Sequence, residues 1–446
     1  MTMLSTKSFN RLTKGVAVVA ALASTVGLAA CGSSRAATAG GKDSARFLYA
    51  TGDETWNATV KAIVDAYNKL PNKVGTVVAE PIPSGSDYAT AMKTMDATGN
   101  WPAIVDMRDT VTYIEAGKLA PIPQEVTSLV DDDAYSAYKD GNVYLTPSTA
   151  NNGELGFGIV YNKQYFKDNN LSVPTTWDEF IKLMQTIKAK GQTPLATAAG
   201  EVWPSGQLWK PIASETFAKH SAKDGGFWAD VKDGKAQVAD LKDDLTKLKD
   251  IIDNYTLKGW QSTLDAQTTT LLVNNQAVMA TTSSGLGRLR DINKVKPDFD
   301  AGYFLIPDSE GNFNVLKNSV GDSSQGLAIS KQAKDNGKQY DIAVDFLKYY
   351  YSVDGANVIE KSGTMSPQIK DSSKVTRNTE IPGSTDYYAL LDSPKLKWYV
   401  NETPWKTFST FNTFFRQSRI AMQDNQSSID DTIAKVQAEF DKDIKG

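Results

Sequence analysis

Residues that commonly carry catalysis are scarce in this chain. Its 446 residues include one histidine, His220, and one cysteine, Cys31, so a multi-histidine zinc site or a histidine-based catalytic triad is remote. The acidic run at 131–133 fails the EF-hand pattern because Tyr135 takes the fifth place. No glycine-rich phosphate loop follows a predicted strand. A pair of carboxylates of the kind that glycosidases use stays open, because acidic residues are plentiful.

Side chains suited to a polar ligand follow two predicted strands. Asp53 and Trp56 come after the strand predicted at 46–50, and Asp106 ends the strand predicted at 101–106. Ligands of parallel α/β sheets gather at the carboxyl ends of strands, so we expect a binding site at this edge. The alternative for Asp106 is a loop cap, which is common for aspartate at a strand end.

The elements that must position these residues alternate between strand and helix. Apolar periodicity predicts helices from 55 and over 88–97, between strands at 46–50, 72–82 and 101–106. This order is typical of a mostly parallel α/β sheet. A chain of 446 residues is also too long for one ordinary core, so two domains are expected.

The segment 142–166 predicts a passage between two lobes. Two β-prone stretches flank a polar connector that contains Asn151 and Glu154, which can donate and accept hydrogen bonds. We interpret it as a first crossing beside a ligand cleft. Two further crossings are predicted, at 282–285 and at 318–330.

The N-terminus predicts export. Three basic residues precede an apolar, small-residue stretch at 15–30, which is shorter than the roughly 20 residues that span a bilayer. It ends in Leu-Ala-Ala-Cys, which resembles a lipobox in which Cys31 is diacylated; the alternative is a plain secretory signal that happens to carry a cysteine. We expect a signal peptide at 1–30, a flexible tether at 31–44, and an extracytoplasmic protein anchored to the cell membrane by its lipid.

The order of several short motifs resembles a known family. The motifs are GKLAP at 117–121, YNK at 161–163, PTTWDE at 174–179, AVMATT at 277–282, FLIP at 304–307, GLAIS at 326–330 and SGTMSP at 362–367. Together they resemble the carbohydrate-specific, maltose-binding-protein-like solute-binding lipoproteins of ABC importers, over nearly the whole mature chain. The resemblance implies an α/β, type II periplasmic-binding-protein-like fold whose two lobes close on a sugar like a hinge.

This resemblance sets the expected domains and partners. The first lobe is expected at 45–150 and 285–321, and the second at 151–284 and 322–446. The implied partners are an oligosaccharide and the permease subunits of an ABC transporter, with no chemistry, no cofactor and no metal. We expect a monomer, and the formal net charge of −4 with no basic block gives no sign of nucleic-acid binding. The alternatives are a surface glycoside hydrolase and a binding protein for a non-sugar solute.

A sugar site needs flat aromatic rings for C–H faces and polar groups for hydroxyls. Three of the nine tryptophans, Trp177, Trp228 and Trp260, are expected to be structural. The aromatic candidates are Trp56 in the first lobe, Trp203 and Trp209 in the second, and Trp405. The polar candidates are Asp53, Asp106, Asn151, Glu154, Ser284, Arg288 and Asp322.

Two positions depart from the family pattern. Ala103 stands where the family often has aspartate, and Leu286 stands where it often has a stacking tryptophan. We therefore expect the stacking role to move to Trp203 or Trp209, with Trp56 on the other face of the sugar ring.

Overall fold

A computed structural model describes residues 43–51, 54–82, 88–108, 110–149, 155–220, 226–316, 326–399 and 409–443. The predicted signal peptide, Cys31 and all but the last two residues of the predicted tether lie outside these ranges. The first strand begins at Ser44, the last residue of that tether.

The strands in the described ranges follow the predicted order closely. They are β1 (Ser44–Tyr49), β2 (Thr76–Pro81), β3 (Ile104–Met107), β4 (Leu119–Ala120), β5 (Gly158–Asn162), β6 (Leu195–Ala196), β7 (Met279–Thr282), β8 (Ala301–Phe304), β9 (Phe313–Leu316), β10 (Gly326–Ser330) and β11 (Leu396–Tyr399). The first of the two β-prone stretches expected within 142–166 lies at 143–147, and in the structure it forms a single bridge between Thr146 and Leu327.

The α-helices separate and cover these strands. They are α1 (Glu54–Asn68), α2 (Tyr88–Thr98), α3 (Thr110–Glu115), α4 (Gln124–Thr127), α5 (Lys163–Asp168), α6 (Trp177–Ala189), α7 (Gly206–Ile212), α8 (Ser214–Lys219), α9 (Gly226–Lys232), α10 (Lys242–Tyr255), α11 (Asp265–Val273), α12 (Gly285–Val295), α13 (Lys331–Asp335), α14 (Lys338–Tyr350), α15 (Val353–Lys361), α16 (Ser384–Leu391), α17 (Ser409–Gln423) and α18 (Ile429–Asp443). Short 3₁₀ turns lie at Asp132–Ala134, Trp203–Ser205, Val238–Leu241 and Ser372–Lys374.

The first lobe is built on a five-stranded sheet of order β2-β1-β3-β10-β4. β1 pairs in parallel with β2 and β3, whereas β10 is antiparallel to β3 and β4. Helices α1, α14 and α15 pack together beside this sheet, where the rings of Tyr67 and Phe346 meet edge to face at 5.2 Å. The carboxyl ends of β1, β2 and β3 therefore form one edge, as the sequence predicted.

The second lobe is built on a four-stranded sheet of order β6-β7-β5-β8. β5 is antiparallel to β7 and β8, and β6 is parallel to β7. The C-terminal helices α17 and α18 complete its core, because Trp228 packs against Phe411 of α17 at 4.7 Å and Phe440 of α18 at 5.4 Å between ring centroids. The parallel pair β9–β11 packs on the same lobe.

The lobe assignments of the described ranges imply three passages between the lobes, at places that differ in part from those predicted. It enters the second lobe before β5, returns between β9 and β10, and leaves the first lobe again between Ile369 and Ile381, which belong to the cores of different lobes. The predicted crossing at 282–285 is wrong, because β7 and β8 both pair with β5 and α12 packs on the same sheet.

The lobe assignment changes accordingly. The strand at 301–304, predicted in the first lobe, pairs with β5 of the second. The strand at 326–330, predicted in the second lobe, pairs with β3 of the first. The predicted α/β architecture with two lobes and three crossings is confirmed, and the correction concerns which long-range partner each strand chooses.

Tyrosines hold both described ends of the first crossing. In the first lobe, Tyr351 donates to the carbonyl of Pro147 at 2.8 Å and Tyr350 donates to that of Ser148. In the second lobe, Tyr303 donates to the carbonyl of Leu155 at 2.7 Å. Buried hydroxyls need such partners, so each lobe holds its own end of the crossing.

Helix α6 begins at a sequence typical of a capping box, Thr176 followed three residues later by Glu179. The Thr176 hydroxyl accepts a hydrogen bond from the main-chain N–H of Glu179 at 3.3 Å. The Glu179 carboxylate reaches back to the N–H of Thr175 at 2.7 Å, one residue before the position expected for a capping box.

None of the helices in the described ranges combines the length and the apolar character that crossing a membrane requires.

Candidate functional site

The predicted site residues divide into those that the structure describes and those outside its described ranges. Asp53, Asn151, Glu154, Asp322, Trp405 and the lipidation candidate Cys31 lie outside. The described candidates lie in two groups, one in each lobe.

In the first lobe, Asp106 joins the end of β3 to the start of α1. Its side chain is almost fully buried, and its Oδ2 accepts from the Trp56 indole N–H at 3.2 Å and the Arg108 guanidinium at 3.2 Å. The main-chain N–H of Ala50 lies 3.4 Å from the same oxygen. A buried carboxylate requires donors of this kind. Trp56 is only 8% exposed, so it offers a ligand little surface.

Trp209, in α7 of the second lobe, lies in the hydrophobic core. It is 3% exposed, and its ring meets Phe217 and Phe415 edge to face. The Arg419 guanidinium lies 4.8 Å from its ring centroid. These contacts surround the ring with the protein's own side chains.

Trp203 is placed differently, although it lies in the same segment. It begins the 3₁₀ turn before α7 and is half-buried. Among the tryptophans in the described ranges, it is the one that belongs to none of the hydrophobic cores. Val202, just before it, has a φ of 65°, a conformation that β-branched residues rarely adopt. Trp203 therefore has ring surface available on a constrained turn.

A polar network joins this turn to Arg288. The buried Arg288 guanidinium donates to Asp265 Oδ1 at 2.7 Å and to Thr269 Oγ1 at 2.6 Å. Gln207 donates to the same Asp265 oxygen at 2.7 Å, and Glu201 Oε2 accepts from the Asp265 main-chain N–H at 2.8 Å. Arg288 is thus connected to the segment that carries Trp203 through their shared partner Asp265.

Sequence reasoning missed Glu201, Gln207 and Asp265. The loop sequence EVWPSGQLW contains the first two, but their partner Asp265 lies 58 positions after Gln207. The sequence contained one signal for Gln207, because a glutamine among apolar helix residues needs a buried hydrogen-bond partner.

Ser284 caps the start of α12. Its hydroxyl accepts from the main-chain N–H of Gly287 at 3.3 Å, a typical helix N-cap. The neighbouring Leu286 is fully buried in the second-lobe core. A residue at 286 therefore contributes to this core, so the absence of tryptophan there removes no exposed ring.

A hollow in the second lobe lies just after the first crossing. Phe157, Lys210, Asn314 and Tyr399 are among its lining residues. The Lys210 ammonium lies 4.0 Å from the centre of the Phe157 ring, within the range of a cation–π contact. Neither residue was among the predicted site residues.

The described residues contain no group of three or more His, Cys, Asp or Glu side chains placed to hold a metal ion. The single histidine, His220, lies with its Nδ1 2.7 Å from Asp230. The candidate side chains in the described ranges are therefore aromatic and polar groups, and they lie on both lobes.

Comparisons with known proteins agree with this architecture. The family described as bacterial extracellular solute-binding protein matches residues 62–383. The multiple sugar-binding protein of Streptococcus mutans serotype c is 28% identical over 347 residues, covering 75% of this chain and 79% of that protein.

Two solved structures share the fold. A chitin oligosaccharide binding protein superposes with a TM-score of 0.72 at 20% identity, covering 90% of this chain and 99% of the other. The structure titled SBP RafE in complex with raffinose gives a TM-score of 0.64 at 19% identity, with 90% and 99% covered. At these identities the likeness concerns the two-lobe fold alone. The family match covers well over half of the residues, and the chain belongs to the bacterial extracellular solute-binding proteins.

Proposed function

We propose that this protein binds an oligosaccharide in the cleft between its lobes and delivers it unaltered to the permease of an ABC transporter. The observation that carries the proposal is the alignment with a multiple sugar-binding protein over 75% of this chain. A two-lobe fold suits this role because hinge closure surrounds a small ligand.

The geometry of Trp203 supports a sugar as the solute. Its half-buried indole lies outside the cores, and the apolar C–H face of a sugar ring stacks on such a surface. Trp56 has little exposed ring, so we place the main stacking surface in the second lobe. Asp53, Asn151, Glu154, Asp322 and Trp405 remain proposed contacts for the sugar.

Two carboxylates near the candidate tryptophans support binding without chemistry. A glycosidase needs two carboxyl groups that reach one glycosidic bond. Asp106 is buried beneath Trp56 and Arg108, and Asp265 is engaged by Arg288 and Gln207. Both are committed to holding the protein's own side chains.

The proposed location follows from the N-terminal sequence. We propose that Cys31 carries the lipid that tethers a monomeric receptor outside the cytoplasmic membrane, close to its permease. Metabolic labelling with a palmitate analogue tests the anchor: the wild-type chain is expected to incorporate label and Cys31→Ala to lose it. Label retained by Cys31→Ala would contradict the lipid site.

Calorimetric titration with raffinose, maltotriose, chitotriose and xylotriose tests the function, with chromatography of each sugar afterwards. We expect saturable binding of at least one trisaccharide and its recovery intact. Turnover at any pH from roughly 5 to 8 would identify an enzyme. Binding of a non-sugar solute, such as an amino acid or peptide, with no binding of any sugar would assign the protein to a different solute class.

A further inference from the structure

The turn that carries Trp203 is connected on both sides to one residue, Asp265. Two residues before Trp203, Glu201 Oε2 accepts from the main-chain N–H of Asp265 at 2.8 Å. Four residues after it, Gln207 Nε2 donates to Asp265 Oδ1 at 2.7 Å. Since Asp265 is the first residue of α11, both connections end at the same helix start.

The network that holds Asp265 is itself buried. Arg288, with a side chain 6% exposed, donates to the Asp265 carboxylate at 2.7 Å. Gln207, 1% exposed, accepts from the Thr281 hydroxyl of β7 at 2.9 Å. Buried, charge-assisted hydrogen bonds are directional and strong, so the sheet and α12 determine where Asp265 lies.

The backbone next to Trp203 needs such support. Val202 has a φ of 65° and a ψ of −50°, an unusual conformation for a β-branched residue. Conformations of this kind persist only where the surroundings hold them. The two connections to Asp265 enclose Val202 and Trp203 between them.

We infer that Asp265 is a positioning residue that orients the Trp203 indole for the sugar, with Glu201 and Gln207 as its two connections to the turn. This inference rests on the proposed function only for its binding consequence. The placement of Trp203 can be measured without any sugar.

The direct test is ¹⁹F NMR of protein labelled with 5-fluorotryptophan, with the Trp203 resonance assigned by Trp203→Phe. Asp265→Ala and Glu201→Ala are expected to shift or split this resonance. Asp265→Ala removes the acceptor of buried Arg288, and if that variant fails to fold, Glu201→Ala still decides, because Glu201 is exposed.

Glu179→Ala is the matched control. Glu179 is also an exposed glutamate at a helix start in the second lobe, and it accepts from the Thr175 N–H at 2.7 Å. Glu179→Ala removes a comparable hydrogen bond from a glutamate to a main-chain N–H, but this bond lies outside the Trp203 turn. The Trp203 resonance should therefore not move.

Binding supplies the second readout. Glu201→Ala should weaken binding of the tightest trisaccharide of the panel about tenfold, and add almost nothing in a Trp203→Ala background, since the two changes act through one group. A full additional loss in that background would mean that Glu201 contacts the sugar itself and would overturn its role as a connection.

A Trp203 resonance unchanged in Glu201→Ala and in folded Asp265→Ala would overturn the inference. A wild-type chain that binds none of the trisaccharides would instead contradict the proposed function, while the resonance would still decide whether Asp265 positions Trp203.

Discussion

Trp56 and either Trp203 or Trp209 were predicted to hold opposite faces of one sugar ring, and Trp56 and Trp203 have different surroundings in the structure. Trp56 is 8% exposed, and its indole N–H is bound by Asp106 at 3.2 Å. Trp203 is half-buried outside the cores, on a turn held through Glu201. Trp56 therefore belongs to a core and donates its N–H to a buried acceptor, whereas Trp203 lies outside the cores on a turn connected to α11.

Two buried carboxylates, one in each lobe, differ in their hydrogen bonding. In the first lobe, Oδ2 of Asp106 accepts from two side chains. In the second lobe, Asp244 of α10 is buried and its Oδ2 has no hydrogen-bond partner. Burial raises the pKa of Asp244 from 3.8 to about 6.

The largest expected effect separates core tryptophans from Trp203. Trp56→Ala and Trp209→Ala should each lower the free energy of unfolding by about 3–5 kcal/mol, because each leaves a cavity in a packed core. Urea titration measures the loss, with Trp203→Ala as the control that stays close to wild type. If Trp56→Ala kept wild-type stability, Trp56 would contribute no more to the core than Trp203 does.

Trp203→Ala should instead weaken sugar binding. Removing a stacked ring costs about 2–4 kcal/mol, or roughly 30- to 1,000-fold in affinity, with the thermal midpoint nearly unchanged. Calorimetry on the best trisaccharide of the panel measures it, and Trp203→Phe should recover part of the affinity. Equal affinity in Trp203→Ala and wild type would show that Trp203 does not stack on the sugar, and its assigned difference from Trp56 would be lost.

Asp244→Asn tests the buried carboxylate whose Oδ2 has no hydrogen-bond partner. Because the folded-state pKa is raised, the charged form is disfavoured by folding, and its cost appears as pH rises from about 4 through 6. The variant should therefore gain up to about 3 kcal/mol in the free energy of unfolding above pH 6 and nothing below about pH 4. Urea titrations at both pH values measure this, and a gain of equal size at both would exclude the titration of Asp244 as its cause.

The smallest expected effect concerns one hydrogen bond. Trp56→Phe keeps an aromatic ring but removes a donor to buried Asp106, and should cost about 1–2 kcal/mol of folding stability. Trp101→Phe is the matched control, because Trp101 donates to Asp96 at 3.1 Å and that carboxylate is 34% exposed. Water can replace the lost donor there. Equal thermal midpoints for the two variants would show that the Trp56–Asp106 bond adds little.

Much of this protein was readable from local sequence. Apolar spacing placed α1 and α2 close to their observed positions, and the pair Thr176 and Glu179 marks the start of α6. The order of strands and helices also predicted an α/β sheet, and the chain length predicted two domains. These features succeed because helix periodicity, strand propensity and capping depend on residues only a few positions apart.

Tertiary structure alone decided which strands pair and which rings stay exposed. Residues 282–285 resemble a crossing in sequence, but β5 takes β7 and β8 as its two neighbours and keeps the chain in the second lobe. Trp203 and Trp209 share one segment, yet Phe415 packs against Trp209, and Asp265 is bonded on either side of Trp203. Such partners lie dozens to hundreds of positions apart, so burial and hydrogen bonding at these sites depend on contacts that local periodicity does not encode.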